Sequence, residues 1–174
     1  MRFLIPAVLV LLGPITSSLI MENSNACLVF GRGADVKSTE IIIQHKSLSK
    51  EGPSYSLRID GNDGNVEYNG LSNVKTLGKQ NSKISTDDLN RIIQEFQESY
   101  FFYLKDSYGS SNKTNSQHQQ QQGDQVSVSL RLGDRYKNVI YTEESNVPLT
   151  LKRLVKEIEK TTNTDKLSAT GSRT

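Results

Sequence analysis

The chain has 174 residues, a net charge of +2 and 34% hydrophobic residues. That length is enough for one domain with a buried core. A charge this small, spread among both signs, leaves no electrostatic footprint for nucleic acid, and the single cysteine excludes an internal disulfide.

The N-terminus departs from everything after it. Arg2 precedes an apolar run over residues 3–12, which Gly13-Pro14 breaks. A short positive region followed by an apolar stretch of about ten residues is the pattern of a secretory signal. Thr16 and Ser18 fit the −3 and −1 positions of one cleavage site. Ser24 and Ala26 fit another, which would leave Cys27 first. If residues 15–21 are counted as well, the stretch is just long enough for an uncleaved anchor. Lipid attachment at Cys27 is a further reading, although a lipid-attachment motif asks for an aliphatic residue where Ser24 stands. A start at Met21 would instead make the protein cytosolic. We expect residues 1–26 to be a signal peptide or membrane anchor, placing the chain outside the cytoplasm, secreted or tethered. Residues 27–39, with Gly31-Arg32-Gly33 in their middle, read as a linker.

A folded domain is expected over residues 40–160. Ile41-Ile42-Ile43 predicts a first short strand. Tyr55, Leu57 and Ile59 alternate with polar residues, so they share one strand face. Gly61-Asn62-Asp63-Gly64-Asn65 then supplies residues that accept positive φ, and Val66-Glu67-Tyr68 resumes the alternation. This pattern predicts a hairpin. Residues 73–84 are polar and read as one strand at most.

Ser85 caps the helix that follows, with Asp88 three residues on in the manner of a capping box. Asp87 and Asp88 read as capping residues rather than catalysts. Leu89, Ile92, Ile93 and Phe96 form an apolar stripe that a sheet must cover. Tyr100-Phe101-Phe102-Tyr103-Leu104 reads as buried core rather than an exposed platform. Residues 109–124 form a low-complexity insertion holding His118 and the sequon at Asn112.

Val126, Val128, Leu130 and Leu132 alternate, Gly133-Asp134 turns the chain, and Val139 and Tyr141 mark a return strand. Pro148 suits a helix start. Leu151, Leu154, Val155 and Ile158 form a second stripe, with Lys152, Arg153, Lys156, Glu157, Glu159 and Lys160 on a solvated face. Residues 161–174 read as a disordered tail. The expected fold is α+β, an antiparallel sheet of about five strands with two helices packed on one face.

Tyr55-Ser56-Leu57-Arg58-Ile59, then Asp63-Gly64-Asn65-Val66-Glu67-Tyr68-Asn69-Gly70, then the Ser85 helix and Phe101-Phe102-Tyr103-Leu104-Lys105-Asp106-Ser107-Tyr108 resemble the prokaryotic family catalogued as domain of unknown function 6438, from about residue 40 to residue 160. The resemblance implies a small exported or lipid-anchored protein with no established activity. Members often carry Cys-x-x-x-Cys-Pro before the Tyr55-like strand. Here Ser49-Lys50-Glu51-Gly52-Pro53 keeps only the proline.

Little here points to catalysis. The chain has neither a phosphate-binding Gly-Lys loop nor a dinucleotide fingerprint. His45, at a strand end, is the one plausible base and reads as a surface residue. Asp60-Gly61-Asn62-Asp63-Gly64 hints at calcium but puts Gly64 at the fifth position and Asn65 where the turn glycine belongs. No catalytic, cofactor-binding or metal-binding residue is therefore assigned, and no cofactor is expected. Two functions remain. One is a non-enzymatic binding or interaction module for an unknown extracytoplasmic ligand or protein, attached to the membrane through its N-terminal segment and not engaging nucleic acid. The other is a hydrolase using dispersed carboxylates.

Overall fold

A computed structural model describes residues 38–49, 51–109 and 123–169. The apolar segment and linker over residues 1–37, Asn112, His118 and residues 170–174 lie outside them. No described helix is long and apolar enough to cross a membrane.

The elements are β1 (Thr39–Lys46), β2 (Ser54–Asp60), β3 (Asn65–Ser72), β4 (Gly78–Lys83), α1 (Thr86–Glu98), β5 (Ser107–Tyr108), β6 (Gln125–Leu132), β7 (Arg135–Thr142), α2 (Leu149–Thr161) and α3 (Thr164–Ser168). The strands form one seven-stranded sheet in the order β4-β3-β2-β1-β6-β7-β5. Every neighbouring pair is antiparallel except β5 and β7, which run parallel.

Alternation builds the core. Ile43 lies opposite both Leu57 and Val128, and Leu57 lies opposite Tyr68. The apolar residues of successive strands therefore join into one continuous face. Each fully buried Ile or Leu there contributes about 1.5–3 kcal/mol. The stripes of α1 (Leu89, Ile92, Ile93, Phe96) and α2 (Leu151, Leu154, Val155, Ile158) are buried against it. The helices run antiparallel to each other, since Arg91 reaches Glu157 at 3.9 Å and Arg153 reaches Glu95 at 3.8 Å. On the other face, among the described residues, the side chains of Arg58, Lys79 and Arg131 are more than half exposed, as expected of strands that alternate on one side only.

The cap on α1 forms as the sequence predicts. Ser85 Oγ accepts from the Asp88 amide at 3.0 Å and donates to Asp88 Oδ2 at 2.7 Å. The β2–β3 hairpin also forms, with Gly64 at φ +70° in its turn.

The expected five strands and two helices become seven strands and three helices among the described residues. β4 reads Gly-Lys-Gln-Asn-Ser-Lys and is exposed along its whole length, so main-chain pairing with β3 makes it a strand, not burial. β5 has only two residues and is held beside β7 by backbone pairing, including the Ile140 amide to the Asp106 carbonyl at 2.9 Å.

The segment after Thr161, expected to be a tail, is folded through Ala169. Thr162 and Thr164 are buried, their hydroxyls 2.8 Å apart, and Thr162 Oγ1 donates to the Ile158 carbonyl. Its buried residues are threonines, which an apolar count does not register.

The aromatic run is split rather than wholly buried. A single 3-10 turn over Phe101–Tyr103 puts Phe101 edge-on against Phe96, with centroids 4.9 Å apart, and leaves Tyr100 and Tyr103 exposed at 71% and 83%.

Candidate functional site

One end of the helix-covered sheet face gathers the polar groups. The register sets His45 opposite Tyr55 on β2 and Val126 on β6, while Val126 pairs onward with Tyr141. The His45 ring stacks on Tyr55 at 4.6 Å with 13° between planes, and Tyr68 lies 5.7 Å beyond Tyr55. The last turn of α2 lowers Glu159 onto this row. Tyr55 Oη donates to Glu159 Oε1 at 2.5 Å, and His45 Nε2 lies 2.9 Å from the same oxygen. That second contact is close without being a hydrogen bond. Nε2 is buried, and among the described residues no hydrogen bond to it is formed.

Two readings are corrected here. His45 is not a surface residue but a largely enclosed one, its side chain 12% exposed, because the parity of β1 turns it toward the helices. Glu159 is not part of the solvated face of α2. It is 15% exposed, one residue past Ile158 and one turn after Val155. A charged residue at the border of an apolar stripe was the available signal. Only the fold could supply its partner.

The electrostatics of the cluster follow from enclosure. Burial pushes the Tyr55 phenol far above its ordinary value, and the Glu159 charge and hydrogen bond add to this. Tyr141 is pushed up by burial first, then by Glu159 and Glu143. Both phenols therefore remain neutral. A general base must reach a substrate proton. Glu159 instead accepts from Tyr55, and the imidazole stacks on the Tyr55 ring. The arrangement joins α2 to the sheet.

The neighbouring loops use their polar residues locally. Ser47 Oγ donates to Asp124 Oδ1 at 2.6 Å, and the Leu48 amide reaches the same oxygen at 3.2 Å. In the hairpin turn, Asp60 accepts from the Asn62 amide and Asp63 from the Asn65 amide. These carboxylates serve the turn. Among the described residues, no group of three His, Cys, Asp or Glu side chains converges as a metal site.

The open sheet face offers a different kind of site. Pairing across the strands lines up Lys79, Asn69, Ser56, Gln44, Ser127 and Ile140 in one row. The next row holds Asn81, Glu67, Arg58, Ile42, Ser129 and Asn138. The third ends in Glu40, Arg131 and Tyr136. At normal strand spacing the surface is about 24 Å wide. Part of its charge is matched internally, while Lys46 and Lys83, placed on this face by strand parity, have no ion pair among the described residues. Glu40 holds Arg58 at 2.6 Å and lies 3.8 Å from Arg131, and Glu67 holds Lys79 at 3.1 Å. Arg131 also sits over the Tyr136 ring, 5.3 Å from its centre. Ser127 and Ser129 both donate to Asn138 Oδ1, at 2.9 and 3.0 Å, which turns the Asn138 amide group away from them as a donor.

The unit from β1 to the end of α2 is also what comparison with known families finds. Residues 40–162 match the family described as Domain of unknown function (DUF6438). The chain belongs to this family. The DUF6438 match opens in β1 and closes at Thr162, so it takes in the whole sheet, both long helices and the residues of the enclosed cluster, while α3 lies just beyond it. A comparison with curated proteins finds no match. Membership in DUF6438 thus fixes the domain and names no activity for it.

Proposed function

We propose that this DUF6438 domain is a non-enzymatic binding module presented outside the cytoplasm, and that the open face of its sheet takes an uncharged, hydroxyl-rich chain such as a glycan. The carrying observation is the composition of that face: serine hydroxyls, Asn and Gln amides and one exposed tyrosine ring, with Arg58 and Lys79 each held by a glutamate. Sugar hydroxyls match amide and hydroxyl partners, and Tyr136 offers a ring against which a sugar packs. Glu40 and Glu67 hold Arg58 and Lys79, which lessens what those two cations offer a polyanion. The hydrolase reading has less support. The imidazole and carboxylate that converge do so in an enclosed cluster where each is engaged by neighbouring groups.

The test is titration of the full-length chain with a panel of uncharged glucan and N-acetylglucosamine oligomers. The expected result is binding that persists in high salt and weakens at least about tenfold in Tyr136→Ala or Asn138→Ala. Absence of binding across the panel, or binding indifferent to both variants, overturns the reading.

Arg2 and the apolar run behind it support the location. Fractionation and intact mass of the protein from its host test that part. A soluble cytosolic product starting at Met21 would refute it.

A further inference from the structure

The C-terminal strap sits in a cradle with the parts of a peptide-recognition site. Tyr55, Tyr68 and Val74 form a small buried cluster of their own, and Leu167 packs on it. The β3–β4 loop folds tightly back over β3 at Gly70. A Cβ there would lie 2.0 Å from the Thr76 carbonyl oxygen and 2.8 Å from Val74 Cγ2. Only a residue without a side chain permits that approach. The fold-back directs successive main-chain amides at the strap: Lys75 N donates to the Ala169 carbonyl and Thr76 N to the Leu167 carbonyl, each at 3.0 Å. Tyr68 Oη donates to the Leu167 carbonyl as well, at 3.4 Å. Main-chain hydrogen bonds with one seated side chain are how short peptides are held on folded domains.

The strap itself is weakly built. α3 has five residues, too few for helical stability of its own. Asn163, just before it, adopts the left-handed conformation at φ +57°, a single-residue joint between α2 and the strap. Thr164 is buried, but Asp165 and Lys166 are exposed, and Leu167 and Ser168 are only half-buried. The carbonyls at the end of a helix lack partners within it, and the loop amides supply them.

We propose that this cradle is a peptide-recognition site filled in cis by Leu167–Ala169, and that the partner it fits is the same segment of a second copy of the chain. The cradle is already complementary to that sequence, and exchange of an identical element across a joint such as Asn163 recreates every contact. The tether favours the cis form, since a short linker holds its ligand at millimolar effective concentration. Exchange therefore shows when the cis strap is weakened. This inference is independent of the open sheet face.

The experiment uses the full-length chain and a fluorescein-labelled, C-terminally amidated peptide of residues 163–169, read by anisotropy. Leu167→Asp removes the apolar seat of the cis strap. The peptide is expected to bind that variant at least about tenfold more tightly than wild type. Equal binding to the two, or no binding to a variant that circular dichroism shows to be folded, overturns the proposal. If Leu167→Asp does not fold, amide exchange on wild type decides. Release of the strap makes the Lys75 and Thr76 amides exchange at least about tenfold faster than those of Ile43 and Leu57. Exchange of all four together, only on global unfolding, makes the strap a core element and overturns the site.

Discussion

The Tyr55 hydroxyl and the Glu159 carboxylate meet at 2.5 Å across 104 positions of sequence. The contact ties the last turn of α2 to the first half of β2, at the end of the sheet where His45 and Tyr141 also lie. Because Glu159 accepts from Tyr55 while His45 stacks on the same phenol, the cluster is a joint between layers.

Tyr55→Phe keeps the ring stack and removes only the donor. It is expected to cost about 1.5 kcal/mol, the scale of a hydrogen bond to a charged group. Glu159→Gln retains an acceptor and should cost less than Glu159→Ala. Urea unfolding measures all three. A Tyr55→Phe variant as stable as wild type would show that the contact contributes nothing.

Alkaline pH should unfold the domain through its enclosed phenols. Tyr55 and Tyr141 are both raised above the ordinary tyrosine value of 10.0, chiefly by burial. Below that value both states hold the proton and their contribution is complete. Above it the unfolded chain releases protons that the native state keeps, so stability falls as pH rises. Each phenol contributes a slope of about 1.4 kcal/mol per pH unit. Denaturant midpoints measured at increasing pH from about 9 upward should fall less steeply in Tyr55→Phe and Tyr141→Phe than in wild type. An unchanged slope in both variants would contradict the assignment.

Truncation after Thr161 should be costly. It removes the Thr162–Ile158 bond and uncovers Tyr68, Tyr55 and Val74. A loss of at least about 2 kcal/mol is expected. Deletion of residues 110–122 should be tolerated. Tyr108 pairs with Tyr141 and Tyr141 with Val126, so the ends to be joined are only about 10 Å apart, two strand spacings. Thermal melts of the two deletions should separate clearly. Equal loss in both would contradict the placement of the strap.

Ser85→Ala should destabilise by about 1 kcal/mol, because the Asp88 amide loses its cap. Ser85→Asp, which retains an acceptor, should recover most of the loss. Chemical denaturation of the pair checks the order.

Removal of residues 1–26 should leave a soluble, folded protein, because α1 and α2 bury their stripes without them. Circular dichroism and solubility of the shortened chain provide the check. An insoluble or unfolded product would make the apolar run part of the core.

Alternation in β2, β3 and β6, the Ser85 cap and the stripes of α1 and α2 were legible in the residues themselves. Each is a local relation: a period of two or 3.6, or a hydroxyl three residues from the amide it caps. Other features depended on where distant segments come to lie. β4 and β5 have no apolar period and are strands because a neighbour's backbone pairs with them. Tyr100 and Tyr103 are as aromatic as Phe101 yet face solvent, because a 3-10 turn can direct only part of its ring set inward. His45 and Glu159 looked solvated because their polarity was visible and their partners were not. Sequence periodicity determined which residues needed burial. Register and topology alone decided which polar groups would be buried with them, since such contacts join positions far apart in the chain.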